Sequence, residues 1–168
     1  MTPFKVQTVQ ARWALPLAAA VALLDLATKA AIQRIFELGE VRPITSFFNL
    51  VYVMNPGAAF SFLASAGGWQ RPFLIAVGAA ISAALAFMLA RRAMHPVGAA
   101  GMAAVLGGAI GNVFDRARHG AVVDWLDFYW RDSHWPAFNI ADIGIVMGVA
   151  ALFVEGIFLQ PRARRDDA

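Results

Sequence analysis

The 168-residue chain contains no cysteine. Disulfides, thiol nucleophiles and Cys-based metal sites are therefore excluded. Histidine is scarce too: His95, His119 and His134 lie far apart and form no HExxH pair, so zinc-peptidase chemistry of that kind is also excluded. Charge is the third shortage. Asp, Glu, Lys and Arg make up 15% of the chain, against about 25% in a soluble domain, and they nearly vanish from four long stretches. The net charge is only +3, and no basic patch interleaved with aromatics points to nucleic acid. The basic residues flank apolar segments, where anionic lipid headgroups are the simpler partner. No metal and no cofactor is expected.

What is abundant is apolar sequence, 60% of the residues. Its runs fall at about 13–32, 72–90, 97–114 and 138–158, each near the roughly 20 residues a helix needs to cross hydrocarbon. The first run follows Lys5 and Arg12 and so resembles a secretory signal. Asp25 and Lys29 interrupt its far end and no small-residue cleavage site follows, so it is expected to be retained as a span. Gly107 with Gly111, and Gly144 with Gly148, are GxxxG pairs that let helix backbones approach closely in lipid. The expected fold is an all-α membrane protein, one domain over residues 1–168 with four transmembrane helices and a disordered tail at about 162–168. Four spans place both termini on one side and the long connections, roughly 33–71 and 115–137, on the other. Lys and Arg divide evenly between the two sides, so the positive-inside rule leaves the orientation open.

The long connections carry their own signals. Phe47 to Met54 is rich in β-branched and aromatic residues and ends at Asn55-Pro56-Gly57, which predicts a short strand or hairpin at the membrane surface. Trp125, Phe128, Tyr129, Trp130, Trp135 and Phe138 cluster around the second connection, as aromatic rings do at headgroup level.

Carboxylates near the membrane boundary are the chemical clue. Asp25 and Lys29, four apart, share a helix face, and an intrahelical ion pair would lower the cost of both charges. Asp142 lies about one turn into the fourth span with no basic residue within a turn. An acid there is either functional or a protonated group bonded to a neighbouring helix. Asp124 and Asp127 alternate with bulky apolar residues; Asp127 reads as a solvated loop acid, Asp124 less so because its flanks are so apolar. Asp115 and Arg116 could simply mark the end of the third span, whereas Asn112 is an amide in an apolar helix and wants a partner. Should Asp124 and Asp142 meet, they would form an aspartic-protease pair, in which one carboxyl keeps a proton and the other stays charged. Ser61, Ser65 and Ser82 have no base nearby in sequence. A proton carrier using Asp142 would need ionisable groups along a path, and the middles of the second and third spans have none. An assembly subunit with merely satisfied acids is the other alternative.

These motifs resemble the lipoprotein signal peptidases (signal peptidase II). Asp25-Leu26-Ala27-Thr28-Lys29 resembles the family's first-helix Asp-x-x-x-Lys, and Asn55-Pro56-Gly57-Ala58-Ala59-Phe60 its NxGxAF element. Gly107 to Arg116 resembles GGxxGNxxDR, Gly120 to Phe128 the first catalytic Asp block, and Phe138-Asn139-Ile140-Ala141-Asp142 the second. The resemblance implies Asp124 and Asp142 as the catalytic pair, and Asn55, Gly57, Asn112, Asp115, Arg116, Asn139 and Ala141 as substrate-binding or supporting residues. It also implies Asp25 and Lys29 as a structural ion pair, a small β-cradle and a periplasmic loop or helix at the membrane surface. The implied enzyme is a monomer in the bacterial inner membrane, with both termini cytoplasmic and its site near the periplasmic face. Its implied partners are membrane lipids and a diacylglyceryl-prolipoprotein, cleaved just before the lipidated lipobox Cys.

Overall fold

A computed structural model describes residues 8–57, 63 and 66–159. Ala58 to Phe60 of the NxGxAF element and the expected tail at 162–168 lie outside the described residues. Among the described residues, four helices are long and apolar enough to cross a membrane: Ala11–Ile35, Gln70–Arg91, Pro96–His119 and Ile140–Leu159. The first opens as a 3-10 turn and continues as α1 (Leu15–Ile35); α2 is Gln70–Arg91 and α3 is Pro96–His119. The last is α4 (Ile140–Val154), ending in a π-helical turn over Glu155–Leu159.

The helix ends explain themselves. Pro96 stands at the first position of α3, where its missing N–H costs nothing, and the His95 side chain accepts from the Val97 N–H at 3.3 Å. Gly120, at φ 82°, turns the chain out of α3 in the left-handed region that favours glycine. Arg71 of α2 donates to the carbonyls of Arg116 (3.1 Å) and Ala117 (2.9 Å) in the last turn of α3, the first of which also accepts the Gly120 N–H at 3.0 Å. The sequence places the end of this span near residue 114; the helix runs on to His119 because Asp115 and Arg116 are buried and do not mark the interface.

Among the described residues, two small sheets sit at opposite ends of the bundle. β1 (Val9–Gln10) pairs with β4 (Ala93–Met94), joining the start of the chain to the α2–α3 turn. At the other end β2 (Val41–Pro43), β3 (Phe48–Asn55), β5 (Val122–Trp130) and β6 (Ser133–His134) form an antiparallel sheet in the order β2-β3-β5-β6. The expected strand over Phe47–Met54 is therefore present. The second connection differs from expectation: Asp124 lies on β5 and not in a loop, because Val122, Val123 and Asp124 pair with Asn55, Met54 and Val53.

Small residues let α3 act as the hub. A Cβ at Gly108 would fall on the Ala141 carbonyl oxygen, one at Gly107 on the Ala18 carbonyl oxygen, and one at Gly148 on the Gly101 carbonyl oxygen. Backbone on both sides cannot give way, so Gly108→Val should force α3 and α4 apart. The expected cost is at least about 1–3 kcal/mol, read as a lowered melting temperature in detergent. Gly156→Ala is the control, since a Cβ there meets nothing within 4 Å.

Candidate active site

Asp142 is held by the start of its own helix. Asn139 caps α4: its Oδ1 accepts from the Asp142 N–H at 3.0 Å, and Asp142 Oδ2 accepts from the Asn139 N–H at 3.2 Å. This reciprocal box fixes the carboxylate at the positive end of the helix dipole. The same asparagine reaches Asp124, donating from Nδ2 to Asp124 Oδ1 at 2.7 Å. The two acids, distant in sequence, therefore bond opposite ends of one residue. What brings them together is the sheet. Phe138 exchanges backbone hydrogen bonds with Leu126 at 3.0 and 2.9 Å, which lays Asn139 alongside β5.

The surrounding groups all present donors. Asn55, ending β3, donates from Nδ2 to Asp124 Oδ2 at 3.1 Å, and its Oδ1 accepts from the Gly57 N–H at 3.0 Å. Asn112 of α3 donates from Nδ2 to Asp142 Oδ1 at 2.9 Å. Arg116 donates to the Gly57 carbonyl at 2.7 Å and the Asn112 carbonyl at 3.1 Å, tying the end of the cradle to α3. Its charge acts on Asp142, Asp124 and Asp115. Asp115 accepts from the Val123 N–H at 3.1 Å, which fixes the residue preceding Asp124.

Behind this layer lies the α1 pair. Lys29, 1% exposed, meets Asp25 at 2.8 Å and Asp115 at 3.0 Å. Asp25 in turn accepts from the Ala141 N–H at 2.8 Å, and Ala141 is fully buried against Gly111. Asp25, Lys29, Asn55, Gly57, Asn112, Asp115, Arg116, Asp124, Asn139, Ala141 and Asp142 are thus linked in one network of contacts. Sequence reading underrated two of its neighbours. Asp127, expected to be solvated, is 6% exposed, bonded by Asn49 Nδ2 at 2.7 Å and by His134 Nδ1 at 2.9 Å. Its partners come from other strands, so no local pattern announced them. Lys29 does more than pair with Asp25: its Nζ also donates to Asn112 Oδ1 at 3.0 Å.

The electrostatics separate Asp124 from an ordinary surface carboxylate. Burial raises the Asp124 carboxyl to about 7; the neighbouring Asp142 charge pushes it the same way, while donation from Asn55 and Asn139 and the Lys29 charge pull it back. Both acids border a cavity of ≈ 660 Å³. Leu74, Val77 and Ile81 of α2 form one wall and Val146 and Met147 of α4 another, with α3 as the floor. The polar end, with Asn55, Asn112, Arg116, Asp124 and Asp142, lies where α3 finishes and α4 begins. The cavity is thus an apolar trough with two acids at one end.

A family model described as signal peptidase II matches residues 17–158. The chain belongs to that family. It is 52% identical over 133 residues to the lipoprotein signal peptidase of Ralstonia nicotianae, covering 79% of this chain and 77% of that relative. It is also 50% identical over 135 residues to the lipoprotein signal peptidase of Cupriavidus necator, covering 80% and 77%. Two solved structures, both described as bacterial membrane enzymes, share the fold. One has a TM-score of 0.78 at 24% identity over 93% of each chain. The other has a TM-score of 0.75 at 25% identity, covering 88% of this chain and 94% of that one. As a signal peptidase II the protein is an enzyme, an aspartic peptidase that spans the membrane several times.

Proposed function

We propose that this signal peptidase II removes the signal peptide from prolipoproteins by cleaving just before a diacylglyceryl-modified lipobox Cys, with Asp124 and Asp142 as the catalytic pair. The observation that carries the reading is the shared asparagine: Asn139 bonds both acids at the polar end of an apolar cavity. Asp124, raised to about 7, still carries its proton in about half of the molecules at neutral pH, where an ordinary carboxyl would have lost it. Asp142, with both oxygens accepting N–H bonds, acts as the base. Asp142 takes a proton from water as the oxygen attacks the scissile carbonyl. Asp124 gives its proton to the carbonyl oxygen, forming a tetrahedral diol. Collapse returns that proton to Asp124, and Asp142 protonates the leaving amine. No covalent intermediate with the enzyme is needed.

The substrate fits the cavity by chemistry. Acyl chains and an apolar signal helix partition into hydrocarbon, and holding them along the α2–α4 trough would position the scissile bond at the acids. The enzyme is read as one monomeric domain over residues 1–168 in the bacterial inner membrane, among its lipids. Both termini are cytoplasmic, and the site with its cradle faces the periplasm. Purified protein is expected to cleave a lipidated prolipoprotein and to leave its unlipidated form largely intact. Equal cleavage of the two would remove the acyl chains from substrate recognition.

A further inference from the structure

We propose that Lys29 is a positioning residue for Asp142, acting through the orientation of the Asn112 side-chain amide; this rests on Asp142 being one of the catalytic pair. A primary amide has an accepting end and a donating end of nearly the same shape, and only its partners decide which way round it sits. The other two site amides are set by backbone N–H groups: Asn55 by Gly57 and Asn139 by Asp142. Asn112 has no such backbone partner among its hydrogen bonds. Its Oδ1 faces Lys29 Nζ at 3.0 Å, with a longer contact from Asn139 Nδ2 at 3.4 Å.

An ammonium can only donate. It donates to Asn112 Oδ1 at 3.0 Å and lies in ion-pair contact with the carboxylates of Asp25 at 2.8 Å and Asp115 at 3.0 Å. The two acids fix where Nζ sits, and Nζ fixes which end of Asn112 faces it. The NH2 group is then turned to Asp142 Oδ1 at 2.9 Å. A flipped amide would set NH2 against the ammonium and oxygen against the carboxylate, two repulsions at a site where Lys29 is 1% and Asn112 8% exposed. A charge on α1 therefore dictates the sense of the hydrogen bond that orients an acid on α4.

The test is a double-mutant cycle read in kcat, KM and melting temperature on the full-length protein in detergent. Asn112→Ala and Lys29→Gln should each lower kcat by roughly ten- to a hundredfold, the worth of a hydrogen bond to a charged group, with KM little changed. If Lys29 acts through Asn112, adding Lys29→Gln to Asn112→Ala should lower kcat no further, although it still lowers the melting temperature. Losses of kcat that multiply would overturn the proposal. Lys29→Gln strands two buried acids and could prevent folding. The same cycle is therefore run in an Asp25→Asn background, where Asp25→Asn/Lys29→Gln removes opposite charges together. Asn112→Asp adds an independent check: it keeps an oxygen for Lys29 but turns a second oxygen on Asp142, so kcat should fall by the same factor with the fold retained. Parental kcat in Asn112→Asp, while Asp124→Asn and Asp142→Asn are inactive, would sink the positioning role and spare the catalytic pair. Activity in those two Asp variants would sink the pair itself.

Discussion

Asp124→Asn and Asp142→Asn should each cut cleavage of lipidated prolipoprotein by on the order of a thousandfold or more, while the protein still folds and binds substrate. Asparagine matches aspartate in size, so neither the trough nor the helix packing changes. What disappears is the ability to pass a proton. At 142 the amide cannot take one from water, and its single oxygen can accept only one of the two N–H bonds that Asn112 and Asn139 now make. At 124 the amide must turn its NH2 toward either Asn55 or Asn139, both of which already donate to Asp124. That mismatch is offset by removing a buried ionisable group, so the melting temperature should move by only a few degrees. A substrate retained in pull-down but not cleaved is the expected signature. A variant keeping more than about a tenth of parental turnover would remove its residue from the chemistry.

If Asp124 is the proton donor proposed above, turnover should fall about tenfold per pH unit above about 7 as it ionises. Stability runs the same way. The folded-state value of Asp124, about 7, lies above its ordinary value of 3.8, so between the two the folded protein holds a proton that the unfolded chain has released. The stabilisation from that proton is fully present below about 3.8 and is lost as pH rises through about 7. Initial rates and melting temperatures measured on either side of neutrality check both statements. Asn55→Ala sharpens the test: it deletes a donor that holds Asp124 down, so the alkaline fall in rate should move to higher pH. A rate that is flat from neutral to alkaline pH would contradict Asp124 as the proton donor.

The spans were legible because a run of apolar residues long enough to cross hydrocarbon has few other readings. Their ends were less so. Charge is the usual mark of an interface, yet Asp115 and Arg116 are charged and buried, since their partners Lys29, Val123 and Gly57 come from other elements. The strand at 48–55 announced itself through β-branched and aromatic residues, whereas its partner did not. Val122 to Phe128 alternates acids with bulky groups, which fits a strand, but the register that sets Asn49 opposite Asp127 is a long-range fact. Individual acids could be ranked by local company alone: Asp142 stood out for its isolation, and Asp127 was misread for the same reason. The resemblance to a family supplied the pairing of Asp124 with Asp142; the coordinates add the shared asparagine through which they meet.

The arrangement of α2 and α4 as opposite walls, each packed on α3, has a bearing on traffic. The trough runs between two helices that are long and apolar enough to cross a membrane, so an opening between them would face the surrounding acyl chains. A tethered precursor could slide in sideways without lifting its anchor out of the leaflet, and the severed peptide could leave by the same flank. Encounter would then be a search in two dimensions, governed by the fluidity of the bilayer more than by the concentration of anything dissolved in water.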